Sequence, residues 1–144
     1  MKEINLDEVI LGVIGSRTFK NKNRGFFELD EFRKTHNVIR IVSGVSEDDE
    51  SDKGADTIGR DYAKEKKIKY TGFPADWSDM SEPCRRKVNQ YGKEYNALAG
   101  FKRNTNIVDE STHIIAFWDG KSPGTKDSIE KAKDKGKKIK IVSI

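Results

Sequence analysis

The sequence predicts an α/β protein with a doubly wound, mainly parallel five-stranded sheet and helices on both faces. Three observations predict it. Five short apolar runs recur along the chain, at Val9–Ile14, Val38–Val42, Ile68–Phe73, His113–Trp118 and Lys138–Val142, and short apolar runs bounded by turn residues read as buried strands. Segments with helical spacing of apolar residues stand between them. Turn residues close the first four runs, at Gly15, Ser43-Gly44, Pro74 and Asp119-Gly120. Strands alternating with helices argue for a parallel sheet covered on both sides, the Rossmann-like arrangement. Right-handed crossovers leave few topologies. Ligands of such sheets sit beyond the carboxyl ends of the strands, where strand order reverses.

The helices are read in turn. Phe26 to His36 carries Phe26, Phe27, Leu29 and Phe32. Ala55 to Lys67 carries Ile58, Tyr62 and Ala63. Thr125 to Lys135 turns Ile129 and Ala132 inward. Residues 79–109 are polar and read as helix and loop with few strand signals. The basic run Lys131 to Lys138 reads as a solvated helix end leading into the last strand.

With 144 residues the chain has the size of one domain, expected to span 1–144. Charged residues make up 36% and hydrophobic ones 34%, polar yet sufficient for a core. The net charge of +4 is small and spread out. It suits an anionic small ligand, and without a concentrated basic stripe it argues against a nucleic-acid partner. The lone cysteine, Cys84, excludes an internal disulfide. No apolar run is long enough for a membrane span. The opening residues, Met1 to Glu8, lack a signal-peptide core. These features lead to the expectation of a cytoplasmic protein.

The strand ends carry the chemistry. Strand one ends in Gly15-Ser16-Arg17-Thr18: glycine permits close backbone approach, the hydroxyls offer hydrogen bonds, and arginine presents a fork of donors suited to phosphate. The alternative is an ordinary turn with a solvated arginine. Strand two ends in Ser43-Gly44, and Gly54-Ala55-Asp56 opens the next helix, where free N–H groups can receive an anion. Asp56 reads either as an acceptor for a ribose hydroxyl or as a first-turn acid complementing the helix dipole. Trp77, after the third strand, reads as a stacking partner for a base or as a ring lodged against its loop.

The most informative segment follows the fourth strand: Asp119-Gly120-Lys121-Ser122-Pro123-Gly124-Thr125. A strand, a glycine-containing loop and a threonine at a helix start form an anion cradle of backbone N–H groups, hydroxyl and helix dipole. Neither the Walker A spacing nor the G-x-G-x-x-G fingerprint is present. A well-capped helix without a ligand is the alternative. Arg103-Asn104, after Ala99-Gly100, reads as an exposed helix start or as part of the site. His36 and His113 lie far apart and form no evident metal or nucleophile set.

Taken in order, Gly15-Ser16-Arg17-Thr18-Phe19, Ser43-Gly44, Gly54-Ala55-Asp56, Tyr62-Ala63, Phe73-Pro74-Ala75-Asp76-Trp77, Tyr91-Gly92-Lys93, Ala99-Gly100 with Arg103-Asn104, and Ala116 to Gly120 with Ser122, Gly124 and Thr125 resemble the SLOG superfamily. Within it they resemble the YspA-related DUF2493 family. The resemblance covers about residues 10 to 142. It implies a Rossmann-type sheet binding nucleotides or nucleotide-derived signals. It also implies that Gly15, Ser16, Arg17, Gly120, Ser122, Gly124 and Thr125 line a phosphate-and-ribose pocket with Arg103 at its mouth. Relatives with this fold are often oligomeric, so a homo-oligomer is expected.

Three departures stand out. The LOG-type hydrolase branch carries Gly-Gly-x-Gly-Thr-x-x-Glu, and the position three after Thr125 is here Ser128. Cleaving an N-glycosidic bond needs a carboxylate, and Asp119 and Asp127 are the candidates to replace the glutamate, with Arg103 and Asp119 the weak catalytic candidates. Five carboxylates crowd the loop near 45–53, read as a solvated loop, as a lid excluding anionic ligands, or as a recruiter of Mg²⁺ beside a phosphate. An inserted segment near 78–90, with Cys84-Arg85-Arg86-Lys87, reads as a solvated basic helix, a helix over the pocket, or a subunit contact.

The expected function is binding, by sensing or sequestration, of a nucleotide or nucleotide-derived signal such as a cyclic or ADP-ribose-type molecule. A role in phage or bacterial defence would place a phage-encoded copy in the host cytoplasm. The alternatives are a nucleoside-phosphate N-glycosidase and, less favoured, a single-stranded DNA module.

Overall fold

The computed structural model describes residues 7–144, so the reading of the first six residues lies outside it. The central sheet has five parallel strands: β1 (Glu8–Gly15), β2 (Asn37–Ser43), β3 (Lys69–Gly72), β6 (His113–Trp118) and β7 (Lys138–Ser143), in the order β3-β2-β1-β6-β7. The order reverses between β1 and β6, which pair from Leu11↔His113 to Gly15↔Phe117. That is the switch point at which such sheets open a crevice.

Alternation explains the two layers. Val9, Leu11 and Val13 of β1, with Ile115 and Phe117 of β6, face α1 (Lys22–Arg33) and α2 (Ala55–Lys66). Ile14, Ile114 and Ala116 face α3 (Ala99–Glu110) and α4 (Pro123–Asp134). Each fully buried side chain of this type stabilises by roughly 1.5–3 kcal/mol. The edge strand β7 alternates Lys138 and Lys140 with Ile139 and Ile141, and edge lysines discourage pairing with another sheet.

Two helix starts and one region differ from the sequence reading. Helix α1 begins at Lys22, not Phe26, because the Asn21 side chain caps it by accepting from the Arg24 N–H at 3.1 Å. Helix α4 begins at Pro123, not Thr125: proline at the first helical position has no N–H to leave unsatisfied. Residues 79–109 contain a β-hairpin, β4 (Arg86–Val88) paired antiparallel with β5 (Glu94–Asn96), ahead of α3. The inserted segment is therefore a loop and a hairpin strand, and Cys84–Lys87 forms no helix. Asn96 holds the hairpin's base: its side chain donates to the carbonyls of Asp79 and Pro83 and accepts from the N–H groups of Arg85 and Leu98. Lys102 on α3 bonds Asp79 at 2.8 Å, which with the Ser81 hydrogen bonds holds that carboxyl far below its ordinary range.

No described helix is long and apolar enough to cross a membrane.

Candidate functional site

A cleft of about 310 Å³ opens at the carboxyl ends of β1 and β6. Gly15, Ser16, Arg17 and Thr18 form one wall, Ser122 to Thr125 and Ser128 the opposite one. Asp56, Arg103, Asn104 and Ile107 close it from the side.

The first wall is held by the main chain. The Ser16 N–H donates to the Phe117 carbonyl at 3.0 Å, and the Ser16 carbonyl accepts from Ala55 at 3.2 Å and Phe19 at 3.2 Å. A Cβ on Gly15 would stand 2.8 Å from that of Ala55 and closer still to the Phe117 carbonyl oxygen, so β1 can approach only as glycine. The Ser16 hydroxyl turns onto its own loop, bonding the Thr18 hydroxyl at 2.8 Å and the Thr18 N–H at 3.2 Å. Arg17, between them, is exposed and makes no ion pair or side-chain hydrogen bond among the described residues. Its guanidinium is free to meet an anion.

The side of the cleft is built around Gly44. A Cβ there would lie 2.7 Å from Nη1 of Arg103 and 2.8 Å from Oδ2 of Asp56. The missing side chain lets both charged groups gather at one point. Arg103 donates to the Gly44 carbonyl at 3.0 Å and to Asn104 Oδ1 at 3.0 Å. It is thus an ordered member of the site and not an exposed helix start. Asp56 is half-buried and lines the cleft. Burial pushes its pKa up to about 6, opposed by Arg103, the Gly44 amide and Arg17.

In the unfolded chain Asp56 titrates near 3.8, so between about pH 4 and 6 the folded protein holds the extra proton and stability falls as pH rises through that window. Asp56→Asn is expected to match wild type near pH 4 and to exceed it by about 1–3 kcal/mol at pH 7. Urea unfolding across that pH range measures it, and a difference independent of pH contradicts it.

The opposite wall is the start of α4. Asp119 Oδ1 accepts from the N–H groups of Lys121 and Ser122, each at 2.8 Å. These bonds hold its carboxyl below the ordinary range and occupy two of the loop amides expected to meet a ligand. Gly124 and Thr125 keep theirs: neither N–H has an acceptor among the described residues. A Cβ on Gly124 would meet nothing within 4 Å. The Thr125 hydroxyl also makes no hydrogen bond, although the residue is only 6% exposed. Asn104 fixes this wall, donating to the Gly124 carbonyl at 3.2 Å and to Asp127 at 3.3 Å. Asp127 pairs with Lys131 at 2.8 Å. Both carboxylates considered as replacements for the missing glutamate thus point elsewhere, and Asp56 is the only carboxylate lining the cleft among the described residues.

The structure gathers Gly15, Ser16, Arg17, Asp56, Arg103, Asn104, Ser122, Gly124 and Thr125 around one cleft. Gly44 and Gly54 stand behind it as supports. Ser43 is buried, donating to the Asp56 carbonyl at 3.0 Å and bonding the Tyr70 hydroxyl at 2.7 Å. Asp119 and Gly120 form the loop outside, and Trp77 lines a neighbouring groove. In the acidic loop, Asp49 accepts from Ser51 and Asp52 from the Gly54 N–H and from Lys20. None of its carboxylates lines the cleft, and no group of three or more His, Cys, Asp or Glu among the described residues could hold a metal ion. His36 and His113 do meet, with ring centroids 5.2 Å apart, at the opposite edge of the sheet. Thr18, whose hydroxyl the sequence offers at the end of β1, lines the cleft, and so do Ile107 and Ser128, which the sequence reading does not place there although they stand one helical turn after Arg103 and Gly124.

Residues 9–79 match the family described as YspA, cpYpsA-related SLOG. The comparison with curated proteins found no match.

Proposed function

Over residues 9–79 the chain belongs to the YspA, cpYpsA-related SLOG family, and we propose that it binds a nucleotide or nucleotide-derived signal by its phosphate in the cleft between β1 and α4. One observation carries this reading: the unpartnered N–H groups of Gly124 and Thr125 and the unpaired guanidinium of Arg17 border the same open space. Helix-start amides and an arginine fork are complementary to a phosphate in charge and in hydrogen-bond direction. Arg103 adds a second cation, and Asp56 offers an acceptor to a ribose hydroxyl.

Binding without cleavage is the favoured role, sensing or sequestration, because the position three after Thr125 is Ser128, whose hydroxyl bonds the Gly124 carbonyl at 3.4 Å. A second reading, hydrolysis of an N-glycosidic bond, is supported by Asp56: a carboxyl titrating near neutrality and facing the cleft is suited to proton transfer. Calorimetry against nucleoside mono- and diphosphates, cyclic nucleotides and ADP-ribose tests both, with chromatography of the recovered ligand. Binding tighter than about 1 mM with the ligand recovered intact supports sensing or sequestration. Release of free base that Asp56→Asn abolishes supports hydrolysis. No binding across the panel contradicts the proposal.

A further inference from the structure

Beside the cleft lies a second depression, about 460 Å³, walled by Trp77 and the hairpin. Its residues include Tyr95, Asn89 and Lys93. Trp77 is 45% exposed. Its indole is held edge-to-face against Tyr95, with centroids 6.4 Å apart and an interplanar angle of 71°. The backbone on both sides is fixed, since the Trp77 carbonyl accepts from the Asn96 N–H at 2.7 Å. A large aromatic ring thus stays in water although its main chain is anchored.

Gly100 stands between Trp77 of the groove and Arg103 of the cleft. A Cβ there would lie 3.6 Å from Cη2 of Trp77 and 4.0 Å from Nη2 of Arg103. The exposed indole and the guanidinium bordering the phosphate cleft therefore flank the same point. Lys93 at the groove's rim makes no ion pair among the described residues, and the Asn89 side-chain amide donates no hydrogen bond there.

We propose that the groove is the base subsite of the same ligand: a planar heterocycle stacks on Trp77, with Asn89 and Lys93 available to its polar edge, while its phosphate occupies the cleft. The occupant is argued from proximity, since Trp77 and Arg103 flank Gly100. A molecule anchored through phosphate beside Arg103 carries its remaining groups to the neighbouring aromatic face, and stacking on an indole accepts any base. This inference rests on the phosphate reading of the cleft.

The test uses the full chain with Trp118 in place, because its indole N–H donates to the Ser122 carbonyl at 3.2 Å; affinities are read by calorimetry and Trp77 quenching as the difference from the Trp77→Phe variant. The four common nucleoside 5′-monophosphates, ribose 5-phosphate and inorganic phosphate are titrated separately. At least one nucleotide is expected to quench Trp77 and to bind about ten-fold or more tightly than ribose 5-phosphate. Trp77→Ala should remove that advantage, Trp77→Phe should keep most of it, and ribose 5-phosphate should bind all three alike. If nucleotides and ribose 5-phosphate bind equally and Trp77→Ala changes neither, the base subsite is wrong and the phosphate cleft stands. If no probe binds, both readings fall. Trp77 fluorescence that follows protein concentration but not nucleotide would make the groove a contact between copies and overturn the proposal.

Discussion

Gly54→Ala is expected to lower the thermal unfolding midpoint by about 10 °C and to abolish ligand binding with it. Gly54 has φ 69° and ψ −125°, a conformation that residues with a side chain adopt only at a cost of roughly 1–3 kcal/mol. A Cβ there would also stand 2.5 Å from the Arg17 carbonyl oxygen and closer still to that of Ser16. Both are backbone atoms, and the Ser16 carbonyl is tied to the N–H groups of Ala55 and Phe19, so they cannot turn aside as a side chain can, and relieving the overlap costs roughly another 1–3 kcal/mol. About 3 kcal/mol in a chain of this length corresponds to the stated shift. Gly136 provides the control. Its φ is also 69°, but a Cβ there meets nothing within 4 Å, so Gly136→Ala should cost about 1 kcal/mol. Equal losses in the two variants, measured by calorimetric unfolding, would mean that helix α2 does not press on the Ser16–Arg17 loop.

Removing either arginine of the cleft is expected to weaken phosphate binding by about 10- to 100-fold, the worth of a charged hydrogen bond, but with different side effects. Arg17 is exposed, makes no hydrogen bond or ion pair among the described residues and is the least of the groups opposing the Asp56 shift, so Arg17→Ala should change the unfolding midpoint far less than Arg103→Met. Arg103 supports the Gly44 carbonyl and opposes the protonation of Asp56. Arg103→Met should therefore raise the Asp56 pKa further above about 6 and steepen the loss of stability as pH rises towards neutrality. Titration of the Asp56 side-chain carbon resonance follows the first effect and urea unfolding the second. An unmoved Asp56 in Arg103→Met would show that the two groups are not coupled across Gly44.

How much of this was legible in the sequence depended on range. The central strands β1 and β6 announced themselves because each is an apolar run buried on both faces, and the edge strands β3 and β7 because short runs with apolar residues recur between turn and helix signals. The Arg17 and Gly124-Thr125 segments were visible because their chemistry is local to a strand end. The hairpin was not, because its strands are three residues long and Arg86-Lys87-Val88 is exposed throughout; without a buried face there is no alternation to read. The engagement of Asp119 was readable in principle, since Asp followed by Gly is a turn signal in which the carboxylate bonds amides two residues on. The meeting of Gly44, Asp56 and Arg103 was not readable, for it depends on where β2, α2 and α3 converge. The pairing of His36 with His113 likewise comes from strand register and from no local pattern.

The central claim is that a phosphate rests on the first free amides of α4. Titrating the ¹⁵N-labelled protein with a nucleoside 5′-monophosphate tests it most directly. The largest amide shifts should fall on Gly124 and Thr125, with the Arg17 side-chain resonance moving at the same ligand concentrations. Lys121 and Ser122, whose amides Asp119 occupies, should move less. Shifts clustered on the acidic loop or at the His36–His113 edge, with Gly124 and Thr125 unmoved, would contradict it.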